Sequence, residues 1–137
     1  MARIPLWTTE FVMSFFNERR TQLLFDGQKS EQIPTTTGIP QGSPLSMILF
    51  LFFASNLLEE LNHGSTTACG FVDDTHLSAF GTSTEDNCRA LEAAHEKCAT
   101  WARTHGATFA PEKYHLMHLT RRPKKHNMAA VVTILGF

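Results

Sequence analysis

Apolar and polar positions change rhythm several times along the chain, and each change marks an element. Phe11, Val12, Phe15 and Phe16 recur at helical spacing, so a helix is predicted from Glu10 to about Arg20, with Thr8 or Thr9 as its cap. Thr21 to Phe25 reads as a strand, Asp26-Gly27 is a hairpin signal, and Lys29 to Thr37 is expected to return as the partner. Gly38 to Pro44 (GIPQGSP) packs two glycines and two prolines into seven residues and predicts a shaped loop. Pro44 suits the first turn of a following helix, Leu45 to about Leu61. The run Met47 to Ala54 (MILFLFFA) is almost continuously apolar, which predicts burial on most faces. It is shorter than the ~20 residues of a bilayer span, and Ser55-Asn56 interrupt it, so a buried helix is expected there.

Thr66 to Val72 (TTACGFV) and Thr75 to Phe80 (THLSAF) read as two strands around Asp73-Asp74. Thr82 to Thr84 offer caps, Glu85 and Asp86 favour a first helical turn, and Gly106 stops that helix near His105. Leu91, Ala94, Cys98 and Trp101-Ala102 give it an apolar stripe. Tyr114 to Leu119 and Met128 to Phe137 read as strands joined by a basic loop. The order α-ββ-loop-α-ββ-α-ββ predicts an α+β fold with mainly antiparallel pairing.

With 137 residues, 42% of them hydrophobic and 18% charged, the chain is expected to form one globular domain spanning 1–137. A formal net charge of −1 excludes a polyelectrolyte binder as a whole. Cations nevertheless cluster at Arg121, Arg122, Lys124 and Lys125, followed by His126, and again at Arg19-Arg20. The longer run is either a solvated loop or a contact for a nucleic-acid backbone. Cys69, Cys88 and Cys98 are odd in number and lack C-x-x-C spacing, so reduced intracellular thiols without a disulfide partner or zinc site are expected. His115 and His118 would fall on opposite faces of a strand, which argues against a histidine metal site. Met1-Ala2-Arg3 leads into Ile4-Pro5 without the long apolar run of a signal peptide.

Two adjacent carboxylates at the tip of an apolar hairpin repel each other. A divalent cation relieves that repulsion, and an aspartate-rich turn bonding its own backbone is the plainer account.

Gly38-Ile39-Pro40-Gln41-Gly42-Ser43-Pro44-Leu45-Ser46, an apolar helix, and then Phe71-Val72-Asp73-Asp74 closely resemble reverse transcriptases of non-LTR, LINE-like retrotransposons. Trp101, His105-Gly106-Ala107, Phe109-Ala110-Pro111-Glu112-Lys113 and Leu116 to Arg121 extend the likeness, in wording similar to elements of filamentous fungi. The resemblance implies a palm-like (ferredoxin-like) antiparallel sheet packed with helices. It implies an RNA-directed DNA polymerase that uses two Mg²⁺ ions, an RNA template, a DNA primer and deoxynucleoside triphosphates, working in the nucleus.

By that resemblance Asp73 is the principal metal ligand and Asp74 the supporting one. Gln41 and Gly42 face the incoming nucleotide and the templating base. Phe71 lies beside the sugar or primer end, though a buried strand aromatic accounts for it equally well. Lys113 lies near the departing pyrophosphate, or is an ordinary exposed lysine. Val72 departs from the alanine usual at that position, and Met47 from a common proline. A third metal-binding aspartate, on a first palm strand, has no counterpart in this sequence, and neither do fingers, thumb, endonuclease or RNase H. The expectation is a partial palm that binds metal weakly and polymerises negligibly alone. The alternative is a non-catalytic retrotransposon remnant with weak nucleic-acid binding.

Overall fold

The computed structural model describes residues 4–134, and the chain divides into two compact units, Met1–Gly42 and Ser43–Phe137. Together they make a small α+β structure of three α-helices and three two-stranded antiparallel sheets among the described residues.

In the first unit, helix α1 spans Leu6–Phe16. It starts directly after Pro5, whose carbonyl accepts from Thr8 N–H at 3.0 Å, so Thr8 and Thr9 lie inside the helix and do not cap it. Asn17 is already extended and Glu18 turns the chain at φ 51, which ends the helix before the expected Arg20. Arg20 instead opens strand β1, Arg20–Thr21, which pairs with β4, Ile33–Pro34. Between them, β2 (Leu24–Phe25) and β3 (Gln28–Lys29) close around Asp26 at φ 49 and Gly27 at φ 74. Two consecutive left-handed residues make the primed turn that matches strand twist, and Asp-Gly suits it. The two long strands expected here are thus two short ladders. Ser30 separates them: its hydroxyl accepts from Leu23 N–H at 2.9 Å and donates to the Glu31 carbonyl at 2.8 Å. No described residue of this unit is buried.

In the second unit, helix α2 spans Pro44–Leu61, with Pro44 in its first turn as expected. Strands β5 (Thr66–Phe71) and β6 (Asp74–Ala79) form a hairpin in the register Phe71↔Asp74 to Thr66↔Ala79. Helix α3 spans Thr84–His105. Ser83 caps it: its hydroxyl accepts from Asp86 N–H at 3.1 Å and donates to the Asp86 carboxylate at 2.7 Å. Gly106, left-handed at φ 66, ends it. The core joins Leu57 and Leu61 of α2, Ala68 of β5, and Ala94, Cys98, Trp101 and Ala102 of α3. Gly70 lets β5 lie close on α2, since a Cβ there would sit 3.1 Å from Leu58 Cδ1.

Two edges of the hairpin differ. Asn62, just past α2, donates from Nδ2 to the Ala68 carbonyl at 3.0 Å and accepts the Ala68 N–H on Oδ1 at 3.0 Å. Its side-chain amide therefore stands in for a neighbouring strand at the middle of β5. On β6, the hairpin alternation turns the backbone polar groups of Thr75, Leu77 and Ala79 away from β5. Among the described residues they find no backbone partner.

Two expectations fail in this unit. Helix α2 is not buried on most faces: only Ser46, Leu57 and Leu61 are buried, while Met47, Ile48, Leu51, Phe52 and Phe53 are exposed. A helix apolar all round does not encode which side its neighbours cover, and here α3 and β5 cover one side. With 18 residues and mean hydropathy 1.4, it is long and apolar enough to cross a membrane, a test that the core helix of a soluble protein also passes. The strands expected at Tyr114 to Leu119 and Met128 to Phe137 are also absent where described. After a 3₁₀ turn at Pro111–Lys113 both runs are irregular, and Leu135–Phe137 lie outside the described residues. Alternating residues need a backbone partner to become a ladder. Among the described residues what joins these runs is one side-chain bond, His118 Nε2–H to the Ala130 carbonyl at 2.7 Å.

Candidate active-site hairpin

The β5–β6 turn consists of Val72 and Asp73, flanked by the paired residues Phe71 and Asp74. A two-residue turn matched to strand twist needs a left-handed first residue, and glycine is favoured there. Val72 occupies it at φ 56. A β-branched residue in that region is a true outlier, and such positions cost on the order of 1–3 kcal/mol. In the sequence Val72 reads only as a change of side chain. The backbone strain was invisible because valine between a strand and two aspartates reads as a continuation of the strand.

The strained turn places the two carboxylates differently. Asp73 stands at the tip and Asp74 begins β6, and both are exposed. Among the described residues neither carboxylate accepts a hydrogen bond, and the one ion pair, Arg89 with Asp86, is elsewhere. The plainer account, an aspartate turn bonding its own backbone, therefore lacks its bond. No group of three or more His, Cys, Asp or Glu side chains among the described residues gathers closely enough to hold a metal. Two bare carboxylates still fit Mg²⁺ chemistry, because that ion is commonly held by one or two carboxylates, with waters and substrate phosphates completing its shell.

Phe71 is 74% exposed, on the hairpin face that also carries Asp74 by register, so it is not a core aromatic. Thr67, Cys69, Ser78 and His76 continue that exposed face, while Ala68 and Leu77 turn toward the helices. Lys113 ends the Pro111–Lys113 turn, exposed and free of any ion pair among the described residues.

Gln41 and Gly42 close the first unit, whereas Asp73, Asp74, Phe71 and Lys113 belong to the second. Gln41 is exposed and Gly42 adopts φ 86. Nothing lies within 4 Å of a Cβ built on Gly42, so its backbone conformation, not crowding, requires glycine. The loop's start is held by Arg19 Nη2, which donates to the Thr37 carbonyl at 3.1 Å.

Arg121, Arg122, Lys124 and Lys125 are all exposed, and Pro123–Lys125 forms a second 3₁₀ turn. Burial pushes the His95 imidazole below its ordinary pKa and the Tyr114 phenol above its own, where the two rings meet edge to face and share a 3.1 Å hydrogen bond. The three cysteines are free thiols: Cys69 exposed, Cys88 and Cys98 buried.

The reverse transcriptase (RNA-dependent DNA polymerase) family matches residues 3–137. The chain is 31% identical over 116 residues to the Retrovirus-related Pol polyprotein from type-1 retrotransposable element R2 of Popillia japonica, covering 76% of this chain and 18% of that protein. It is 28% identical over 107 residues to the RNA-directed DNA polymerase from mobile element jockey of Drosophila melanogaster, covering 74% of this chain and 12% of that protein. The chain thus spans less than a fifth of either relative. No solved structure matches it.

Proposed function

Because the chain belongs to the reverse transcriptase (RNA-dependent DNA polymerase) family, we propose that it supplies the metal-holding hairpin of a LINE-like retrotransposon's RNA-directed DNA polymerase. The observation that carries this reading is the pair of exposed carboxylates, without a partner among the described residues, on and beside a strained two-residue turn. Strain persists where the surroundings enforce it, and it collects at functional sites.

In this reading Asp73 and Asp74 hold Mg²⁺, which when bound offsets the charge of a transferring phosphoryl group. Phe71, on the face shared with Asp74, supports the sugar or primer end. Gln41, which can both donate and accept, and the bare backbone at Gly42 contact the incoming nucleotide and templating base. Lys113 supplies positive charge to the departing pyrophosphate. The hairpin with its two helices corresponds to part of a palm-like sheet, and the unpaired edge of β6 is where a further strand bearing a third carboxylate adds. RNA template, DNA primer and deoxynucleoside triphosphates are the proposed partners of the complete polymerase.

Paramagnetic Mn²⁺, titrated into the isotope-labelled chain, tests the site directly. Amide signals of Phe71 to Thr75 are expected to broaden first, and to stay sharp when Asp73→Asn and Asp74→Asn are combined. Broadening centred elsewhere, or indifferent to both substitutions, would sink the proposal. In any form of the protein that extends a DNA primer on RNA, Asp73→Asn is expected to abolish extension and Asp74→Asn to weaken it.

The lack of a third acidic ligand among the described residues favours one second reading, a non-catalytic relic of the same family. Manganese binding at the hairpin combined with no extension by any form of the protein is the outcome that selects it.

A further inference from the structure

The basic run at Arg121 to Lys125 lies outside the proposed metal hairpin, and its setting is unusual for a solvated loop. From Tyr114 to Ile134 the chain carries four cations and no aspartate or glutamate, in a protein whose formal net charge is −1. All four cations are exposed, and none forms an ion pair with any described acid.

The loop is also held in shape. Lys125 N–H donates to the Arg122 carbonyl at 2.9 Å, and Arg122 N–H donates to Thr120 Oγ1 at 3.1 Å, so the cations sit on a closed turn. Beneath it, His118 is bonded to the Ala130 carbonyl and ties the two stalks together. Both stalks are fastened to α3. Tyr114 bonds His95 on one side; on the other, Glu92 accepts from Thr133 N–H at 2.7 Å and Glu85 accepts from the Asn127 side chain. The Glu85 carboxyl is held below the usual carboxylate range by a backbone N–H first and by Asn127 next, and Asp86 is engaged by Ser83 and Arg89. The acids nearest this loop in its hydrogen-bond network stay ionised but are bonded to other groups, and none of them pairs with the four cations.

We infer that the Arg121–Lys125 turn is a preformed contact surface for the phosphate backbone of a nucleic-acid duplex. The residues decide between kinds of nucleic acid. Single-strand binders add aromatic platforms on which bases stack, and Arg121 to Asn127 contains no aromatic besides His126. The Asn127 amide is engaged by Glu85 and by Ala129 N–H and is not free to read a base edge. What remains is four exposed cations carried on one closed turn, which suits the phosphate rows of a duplex.

The surface is independent of the metal hairpin, and measuring it in EDTA keeps the two apart. With a 20-base-pair duplex of DNA or of RNA·DNA, the logarithm of affinity is expected to fall against log salt with a slope of about 3 to 4, one phosphate per cation. Arg121→Ala with Arg122→Ala is expected to lower that slope by about 2, and replacing all four cations to flatten it. Arg121→Lys with Arg122→Lys is expected to restore binding, since a point charge suffices. An unchanged melting temperature shows that these exposed substitutions leave the fold intact. Binding by the four-alanine chain equal to the parent's, or tighter binding to a single strand than to either duplex, would overturn the inference. So would stronger retention on anionic phospholipid vesicles than on the duplexes.

Discussion

The hairpins at Asp26–Gly27 and Val72–Asp73 both turn in two residues, yet they are stabilised by different means. The first has the residues its turn demands, with both central positions left-handed and glycine at the second, but no described residue around it is buried. The second has the wrong residue for its turn, but its inner face lies on Leu57, Leu61 and the apolar stripe of α3. Turn chemistry alone leaves two ladders of two residues each; tertiary packing carries six paired positions through a strained tip. Strain therefore sits where the structure is best able to hold it, and that is also where the bare carboxylates are.

The sharpest way to break this comparison is to remove the support. Leu61 is 1% exposed, and Leu61→Ala is expected to cost about 2–5 kcal/mol in urea unfolding and to release β5 amides to rapid hydrogen exchange. Leu24→Ala, on the first hairpin, is expected to stay within about 0.5 kcal/mol. Equal losses would mean that the two hairpins are held alike.

Next comes alkaline pH. Burial pushes the Cys98 thiol up to about 11, so its folded pKa lies above that of a free cysteine. A group raised in this way stabilises the fold fully below its unfolded pKa. That stability is expected to drain as pH climbs from about 9 through 11, visible in unfolding midpoints and lost in Cys98→Ala. The first hairpin has no buried thiol, so its local melting should not follow that curve.

A smaller effect separates the edges of the second hairpin. Asn62→Ala leaves Ala68 N–H and C=O without partners and is expected to cost about 1–3 kcal/mol, read by exchange of the Ala68 amide. The smallest contrast lies in the turns. Val72→Gly is expected to stabilise the second unit by about 1 kcal/mol, whereas Gly27→Val is expected to loosen the first hairpin by a similar amount. Matching signs from the two substitutions would remove strain from the account.

Legibility of the fold followed the same divide. Helix α3 was readable end to end, because Ser83, Glu85, Asp86 and Gly106 are local signals that act within one turn of where they stand. The Asp26-Gly27 turn was readable for the same reason. The break of the first pair of strands at Ser30, the irregular course after Lys113 and the exposed side of α2 were not, since each depends on which partner arrives. At the site, the two motifs could be found by residue type and order. The left-handed Val72 could not, because no local rule puts valine there, and Asn62 reads in sequence as an unremarkable helix end.

The Asn62 amide has a final consequence for how copies of this chain associate. A sheet that is open on both sides can recruit strand after strand without limit. Among the described residues one side is blocked at its middle by a side chain, and β6 is the side left open to a newcomer. Two molecules meeting edge to edge through β6 satisfy each other by a two-fold axis and leave no second edge to continue. Self-association by this route ends at a dimer, where an unguarded hairpin would seed a fibre.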